Sequence, residues 1–258
     1  MTVTWTMLLT VCPLVFLAAV IDAIGGGGGL ISLPAYYLAG LPPVLAAGTN
    51  KFSASFGTMM ASVRYGRQKK VRWLCGLLAV AGALPGAWCG AEVLKRTPES
   101  VVRMCLLIGV PLIAILMFVR KVDDRGDTGS EPKTAAQRVA CFLIGLCVGF
   151  YDGFFGPGTG TILIALFTWL LHMGAVEASG TAKIVNLASN ISALLSLIGG
   201  GDVLFALGLP AMACSVLGGL VGSGLAIKRG AKLIRVVMLV VMVLLLIKVG
   251  YDFFTAQG

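Results

Sequence analysis

Four charged residues stand where charge is costly. Asp22 precedes five consecutive glycines in IDAIGGGGGLISLP, and Asp152 precedes a second glycine-rich stretch in FYDGFFGPGTG. Lys51 lies within AGTNKFSASFGTMMASV and Lys183 within SGTAKIVNLASNISALL, both mostly uncharged. A charge at the centre of a bilayer costs about 2.5–3.5 kcal/mol on insertion scales, so two lysines at matched places imply a use. The chemistry they suit is electrostatic. A pair of cations attracts an anion, and backbone N–H groups freed where glycines break a helix add donors to it. The aspartates have two readings. Each pairs with the lysine of its own half, Asp22 with Lys51 and Asp152 with Lys183, or the aspartates bind a proton or cation with the lysines as resting partners.

The surroundings of both lysines are polar. Thr49 and Asn50 precede Lys51, with Ser53 and Ser55 beyond it; Thr181, Asn186, Ser189 and Asn190 surround Lys183. Spacings of three and four place Lys183, Asn186 and Asn190 on one helix face. The expected substrate-binding set is therefore Lys51, Lys183, Thr49, Asn50, Thr181, Asn186 and Asn190, with Gly27, Gly28, Gly158 and Thr159 at the broken backbone.

Other chemistry finds no support. The seven cysteines all lie in apolar segments without a CxxC, and the single histidine, His172, has no clustered partner. That spacing fits neither a zinc site nor a disulfide framework, and the thiols read as small hydrophobes. GGGGG and GPGTG lack the strand–helix context of a dinucleotide loop and the GK[ST] of a phosphate loop. With no nucleophile–base pair, the sequence points away from an enzyme, and no cofactor or metal is expected.

These side chains need elements that hold them at membrane depth. Of the 258 residues 58% are hydrophobic and 12% charged, with a mean hydropathy of +0.96. Soluble domains carry nearer 25% charge. Uncharged runs from Val3 to Ile21, Trp73 to Ala91, Ile184 to Gly201 and Val203 to Ile227 are each long enough to cross a bilayer. The chain reads as an all-α polytopic membrane protein. Its net charge of +9 gathers in short loops, where it reports orientation rather than nucleic-acid binding. No basic residue precedes the first apolar run, so that run reads as a membrane helix and not a cleaved signal.

The chain also repeats itself. Gly48, Thr49 and Lys51 fall on Gly180, Thr181 and Lys183, and Gly86, Gly90 and Arg103 on Gly218, Gly222 and Arg235, all at an offset of 132 residues. Residues 1–119 form a first transmembrane repeat, 120–138 a charged cytoplasmic linker and 139–258 a second repeat. In the first, the pattern predicts a helix to about Ala23, a short segment Leu30–Ala39, and helices near Pro43–Arg64, Val71–Leu94 and Ser100–Val119. The short segment supplies roughly 15 Å of helix, half a bilayer core, so it either re-enters or spans in an extended form.

Loop charge relates the two repeats. Arg64, Arg67, Lys69, Lys70 and Arg72 make one loop cytoplasmic, while its counterpart near Leu197–Asp202 has no positive charge; the next pair of loops reverses this. Equivalent loops on opposite sides are the mark of inverted-topology repeats. Each repeat then holds about three full transmembrane helices plus a Gly-broken helix pair, about 8–10 membrane segments in all, with both termini periplasmic.

The motifs resemble a known family. GGGGGLISLP with the downstream TNK, and FYDGFFGPGTG with SGTAK, are similar to the TauE/SafE family of sulfite-exporter-like permeases, in the forms of its YfcA-like branch. The likeness runs in order through both halves. It implies a secondary carrier of small anions in the bacterial inner membrane, with sulfite, thiosulfate and sulfonates such as sulfoacetate as substrate types. The family's glycine motifs map onto Gly25 to Gly29 and onto Gly156, Gly158 and Gly160. Other branches often have Ser after the repeat Thr, where this chain has Asn50 and Ala182, each followed by Lys. That departure carries over the anion class rather than one substrate.

The expected function is therefore alternating-access transport of small anions. Asp22 and Asp152 act as coupling or structural charges, and a proton- or cation-coupled carrier centred on them is the alternative. Expected partners are a small anionic substrate and membrane lipid, without nucleic acid; a homo-oligomer is compatible.

Overall fold

Glycine and proline divide the chain into helices at the places where they interrupt its apolar runs. The computed structural model describes residues 3–98 and 131–255. Eight helices occupy them: α1 (Trp5–Gly25), α2 (Gly29–Leu38), α3 (Pro43–Arg67), α4 (Trp73–Arg96), α5 (Ala135–Phe154), α6 (Thr159–Leu171), α7 (Ala175–Gly199) and α8 (Phe205–Thr255). Gly230, at φ 64° and ψ −154°, breaks α8 in two. The helix expected over Ser100–Val119 and most of the linker lie outside the described residues.

Helices α1, α4, α5, α7 and the first part of α8 are each long and apolar enough to cross a membrane. The chain is thus an integral membrane protein. Helix α3 has 25 residues, long enough as well. Its hydropathy is lowered by Thr49, Asn50, Lys51, Ser53, Ser55 and Thr58, all of which are buried. Large apolar side chains such as Trp5, Leu9, Leu77 and Leu217 point outward instead, as lipid-facing residues do.

The two short helices fold back. Gly26 and Gly27 at positive φ turn the chain after α1, and Gly28 then lies against Ala18 and Asp22. Helix α2 therefore returns along α1. In the second half Gly156 and Gly158, also at positive φ, make the equivalent turn between α5 and α6. In the first half the short segment forms a ten-residue helix folded back along α1 rather than an extended stretch.

Equivalent elements begin at matched places. Helices α3 and α7, and α4 and α8, start 132 residues apart, while α1 and α5, and α2 and α6, start 130 apart. Positive-φ residues match too: Gly26 with Gly156, Gly40 with His172, and Lys69 with Gly201. The packing exchanges partners in the same sense. Gly82, Gly86 and Gly90 of α4 bring its backbone against α5, and Gly218 and Gly222 of α8 do so against α1. Such small residues allow close helix approach in lipid. At the first interface the buried thiols of Cys75 and Cys141 also meet, 2.7 Å apart.

At the centre α3 and α7 cross in opposite directions, since Lys51 meets Asn190 while Tyr65 meets Ser179. Their second turns are tied alike. Thr49 Oγ1 accepts from Leu204 N and Thr181 Oγ1 accepts from Arg72 N, both at 3.0 Å. The end of the molecule carrying Arg64, Arg67 and Arg72 is its basic end; there Arg72 pairs with Glu177 at 2.7 Å. Pro43, Arg96 and Gly199 mark the opposite end.

Candidate functional site

Where each glycine turn leaves an aspartate at the end of a helix, a lysine from the other half reaches it. Lys51 Nζ lies 2.7 Å from Asp152 Oδ2, and Lys183 Nζ lies 2.8 Å from Asp22 Oδ2. The pairing is crossed. The within-half pairs Lys51–Asp22 and Lys183–Asp152 do not form, because each turn aims its carboxylate at the lysine of the other half.

The two pairs differ in their surroundings. Asp152 is nearly inaccessible and accepts two hydroxyls beside the Lys51 ammonium: Ser189 Oγ donates to Oδ2 at 2.6 Å and Thr159 Oγ1 to Oδ1 at 2.8 Å. Lys51 also donates to Asn190 Oδ1 at 2.8 Å. Asp22 holds Lys183 and, among the described residues, otherwise receives only the Gly28 N–H, at 3.4 Å. Its side chain is 19% exposed against 2% for Asp152. An unpaired buried charge is far more costly than a paired one, and here all four charges are matched.

A cavity opens between the crossed pairs. Its wall includes Asp22, Gly28, Asn50, Lys51, Asp152, Thr159, Asn186 and Asn190. It lies mainly toward the end opposite the basic one: on α3 the wall runs from Ala47 to Thr58, and on α7 from Asn186 to Leu197. The space available to the centres of water-sized bodies is about 60 Å³. Asn50 is nine-tenths buried on this wall, and among the described residues its Oδ1 has no hydrogen-bond partner. A buried amide oxygen without a partner is costly unless something in the cavity meets it.

The structure separates the expected residues into two groups. Lys51, Asn50, Asn186, Asn190, Gly28, Thr159, Asp22 and Asp152 come together around the cavity. Lys183, Thr49, Thr181, Gly27 and Gly158 are not on its wall. Lys183 reaches it only through Asp22, and the two threonines hold the backbone N–H groups of Leu204 and Arg72. Sequence reasoning missed Phe154 and Phe155, which line the cavity beside Asp152. The aromatic residues crowding Asp152 in FYDGFFG were the available signal. Among the described residues no group of His, Cys, Asp and Glu could hold a metal ion.

Comparison with known proteins places the chain in a family. The family model described as sulfite exporter TauE/SafE matches residues 11–249. A relative from Haemophilus influenzae, named "Probable membrane transporter protein", is 33% identical over 92% of this chain and 92% of its own. The Escherichia coli K12 protein named "Probable membrane transporter protein YfcA" is 35% identical over 92% of this chain and 87% of its own. A protein of Arabidopsis thaliana named "Sulfite exporter TauE/SafE family protein 3" is 28% identical over 45% of this chain and 24% of its own. No solved structure matches.

Proposed function

Because the chain belongs to the sulfite exporter TauE/SafE family of membrane transporters, we propose that it carries small anions by alternating access between its two halves. The proposed substrates are sulfur oxyanions or organosulfonates of the sulfite, thiosulfate and sulfoacetate type. The bacterial inner membrane is the proposed site, with the basic end cytoplasmic by the positive-inside rule and the start of α1 periplasmic.

One observation carries this reading: Lys51, with Asn50 and Asn190, faces a cavity of small size. A water needs about 10–15 Å³ on the same measure, so the space suits an oxyanion of a few heavy atoms. The anion would share the Lys51 ammonium with Asp152 and take donors from the two amides.

Charge balance supports a coupled form of the same reading. Two lysines and two aspartates sum to zero, so a bound monoanion leaves the site negative unless a cation comes with it. Asp22, the more exposed and less hydrogen-bonded carboxylate, is the proposed place for that proton or cation.

Thermal stability of the purified protein tests the reading, with sulfite, thiosulfate, sulfoacetate, sulfate and simple carboxylates as ligands. A ligand at a hundred times its Kd stabilises by about 2.7 kcal/mol. The expected result is a shift for a sulfur anion in the wild type and none in Lys51→Ala. Equal shifts in both, or none for any anion, would move the function to the cation at Asp22.

A further inference from the structure

The last turn of α1 leaves carbonyl oxygens without helical donors, and Tyr65 and Ser179 at the basic end are among the groups that partner them. Gly26 N–H donates to the Asp22 carbonyl and Thr161 Oγ1 to that of Gly25, at 2.9 and 2.8 Å. Tyr65 Oη donates to the Ala23 carbonyl at 3.0 Å and lies 3.1 Å from Ser179 Oγ, which reaches the Ile24 carbonyl at 3.0 Å. Tyr65 and Ser179 are fully buried. This knot joins α1, α3 and α7 and closes the basic end.

The repeat offsets carry these four residues to the other end of the molecule. Tyr65 and Ser179 on the central helices correspond to Leu197 and Ala47, and Ala23 and Ile24 to Gly153 and Phe154. All four counterparts line the cavity. Among the described residues nothing donates to the carbonyls of Gly153 and Phe154. One end of a duplicated architecture is thus closed and the other open, at equivalent positions.

We infer that Tyr65 with Ser179 is the gate of the basic end, that Leu197 with Ala47 is the gate of the opposite end, and that transport exchanges their states. The inference deepens the alternating-access part of the reading above. When Leu197 seats against Ala47, Gly153 and Phe154, Tyr65 leaves the α1 carbonyls and Ala182, the counterpart of the cavity residue Asn50, faces a new cavity. The gates are chemically unequal. The Tyr65 gate is hydrogen-bonded, whereas the Leu197 gate has only apolar contact, so the observed form keeps the basic end shut.

Thiol labelling tests this without any transported anion, so its failure is separate from failure of the anion reading. Ala47→Cys and Ala182→Cys are introduced singly into the full-length protein in lipid nanodiscs. Labelling by a hydrophilic maleimide is quantified at each introduced position by peptide mass spectrometry. Ala47→Cys should label and Ala182→Cys should label at least about tenfold more slowly. Adding Tyr65→Phe or Ser179→Ala, each of which removes part of the knot, should speed Ala182→Cys about fivefold to tenfold and slow Ala47→Cys. Tyr36→Phe is the control, because it removes a comparable buried bond to Ser53 outside both gates. The inference is overturned if Ala182→Cys is unaffected, if it speeds while Ala47→Cys is unchanged, or if Tyr36→Phe has the same effect.

Discussion

Lys51 Nζ and Asp152 Oδ2 meet at 2.7 Å across the boundary between the two halves, in a pocket that leaves both side chains almost inaccessible. The second pair, Lys183 with Asp22, repeats the arrangement with the halves exchanged. Each half therefore neutralises the charge of the other. Removing one member leaves a buried, uncompensated charge, a loss of about 3–5 kcal/mol.

A double-mutant cycle checks the crossing. Lys51→Met and Asp152→Asn should be coupled, the double variant recovering about 1 kcal/mol or more of the summed losses. Lys51→Met combined with Asp22→Asn should show the smaller coupling. Chemical denaturation in detergent micelles gives the four stabilities, and a larger coupling to Asp22 would refute the crossed arrangement.

The two asparagines nearest Lys51 should separate binding from stability. Asn50 has an unpartnered amide oxygen, so Asn50→Ala is expected to leave stability unchanged or raise it by about 1 kcal/mol. Asn190 accepts from Lys51 at 2.8 Å, so Asn190→Ala should cost about 1–3 kcal/mol. Both variants should weaken the binding of a stabilising sulfur anion by about tenfold. Thermal shifts with and without that anion measure both quantities.

The turn after α1 should tolerate no side chain. Gly26 has φ 77° and presses against the backbone of Gly160 and Thr161, so Gly26→Ala meets both strain and collision. Gly199, at the end of α7, has open space around it. Yield of monodisperse protein should collapse for Gly26→Ala and stay near wild type for Gly199→Ala.

His172 ends α6 in the left-handed region at φ 52°, where its counterpart in the first half is Gly40. A non-glycine residue there is disfavoured by about 1–2 kcal/mol, partly offset by the greater unfolded-state freedom of glycine. His172→Gly is expected to stabilise the protein by up to about 1 kcal/mol. Loss of stability, measured by thermal unfolding, would show that the imidazole has a role that the backbone does not reveal.

Much of the fold was legible because its signals are local. The apolar runs between loop charges, the five glycines after Asp22 and the spacing from Lys51 to Lys183 each needed only neighbouring residues or one constant offset. The crossing of the ion pairs was not legible. Asp22 and Lys51 share a half, and nothing along the chain reports that the hairpin turns Asp22 toward α7. Thr49 and Thr181 lie off the cavity for a related reason, since their place beside the lysines in sequence puts them on another face of the helix, where they bind backbone. The gate was legible in principle: the offset that pairs the lysines also sets Tyr65 opposite Leu197, a mismatch between a hydroxyl-bearing and an apolar residue.

The crossed charges also bear on how such a chain could be divided. A half-length polypeptide with one aspartate and one lysine in these places would satisfy neither within itself. Two copies inserted in opposite orientations would satisfy both, each subunit's lysine reaching the other's carboxylate. The present single polypeptide keeps the charge arrangement of an antiparallel dimer whose subunits have been joined end to end. Cutting it at the junction should therefore give fragments that need each other in the same membrane.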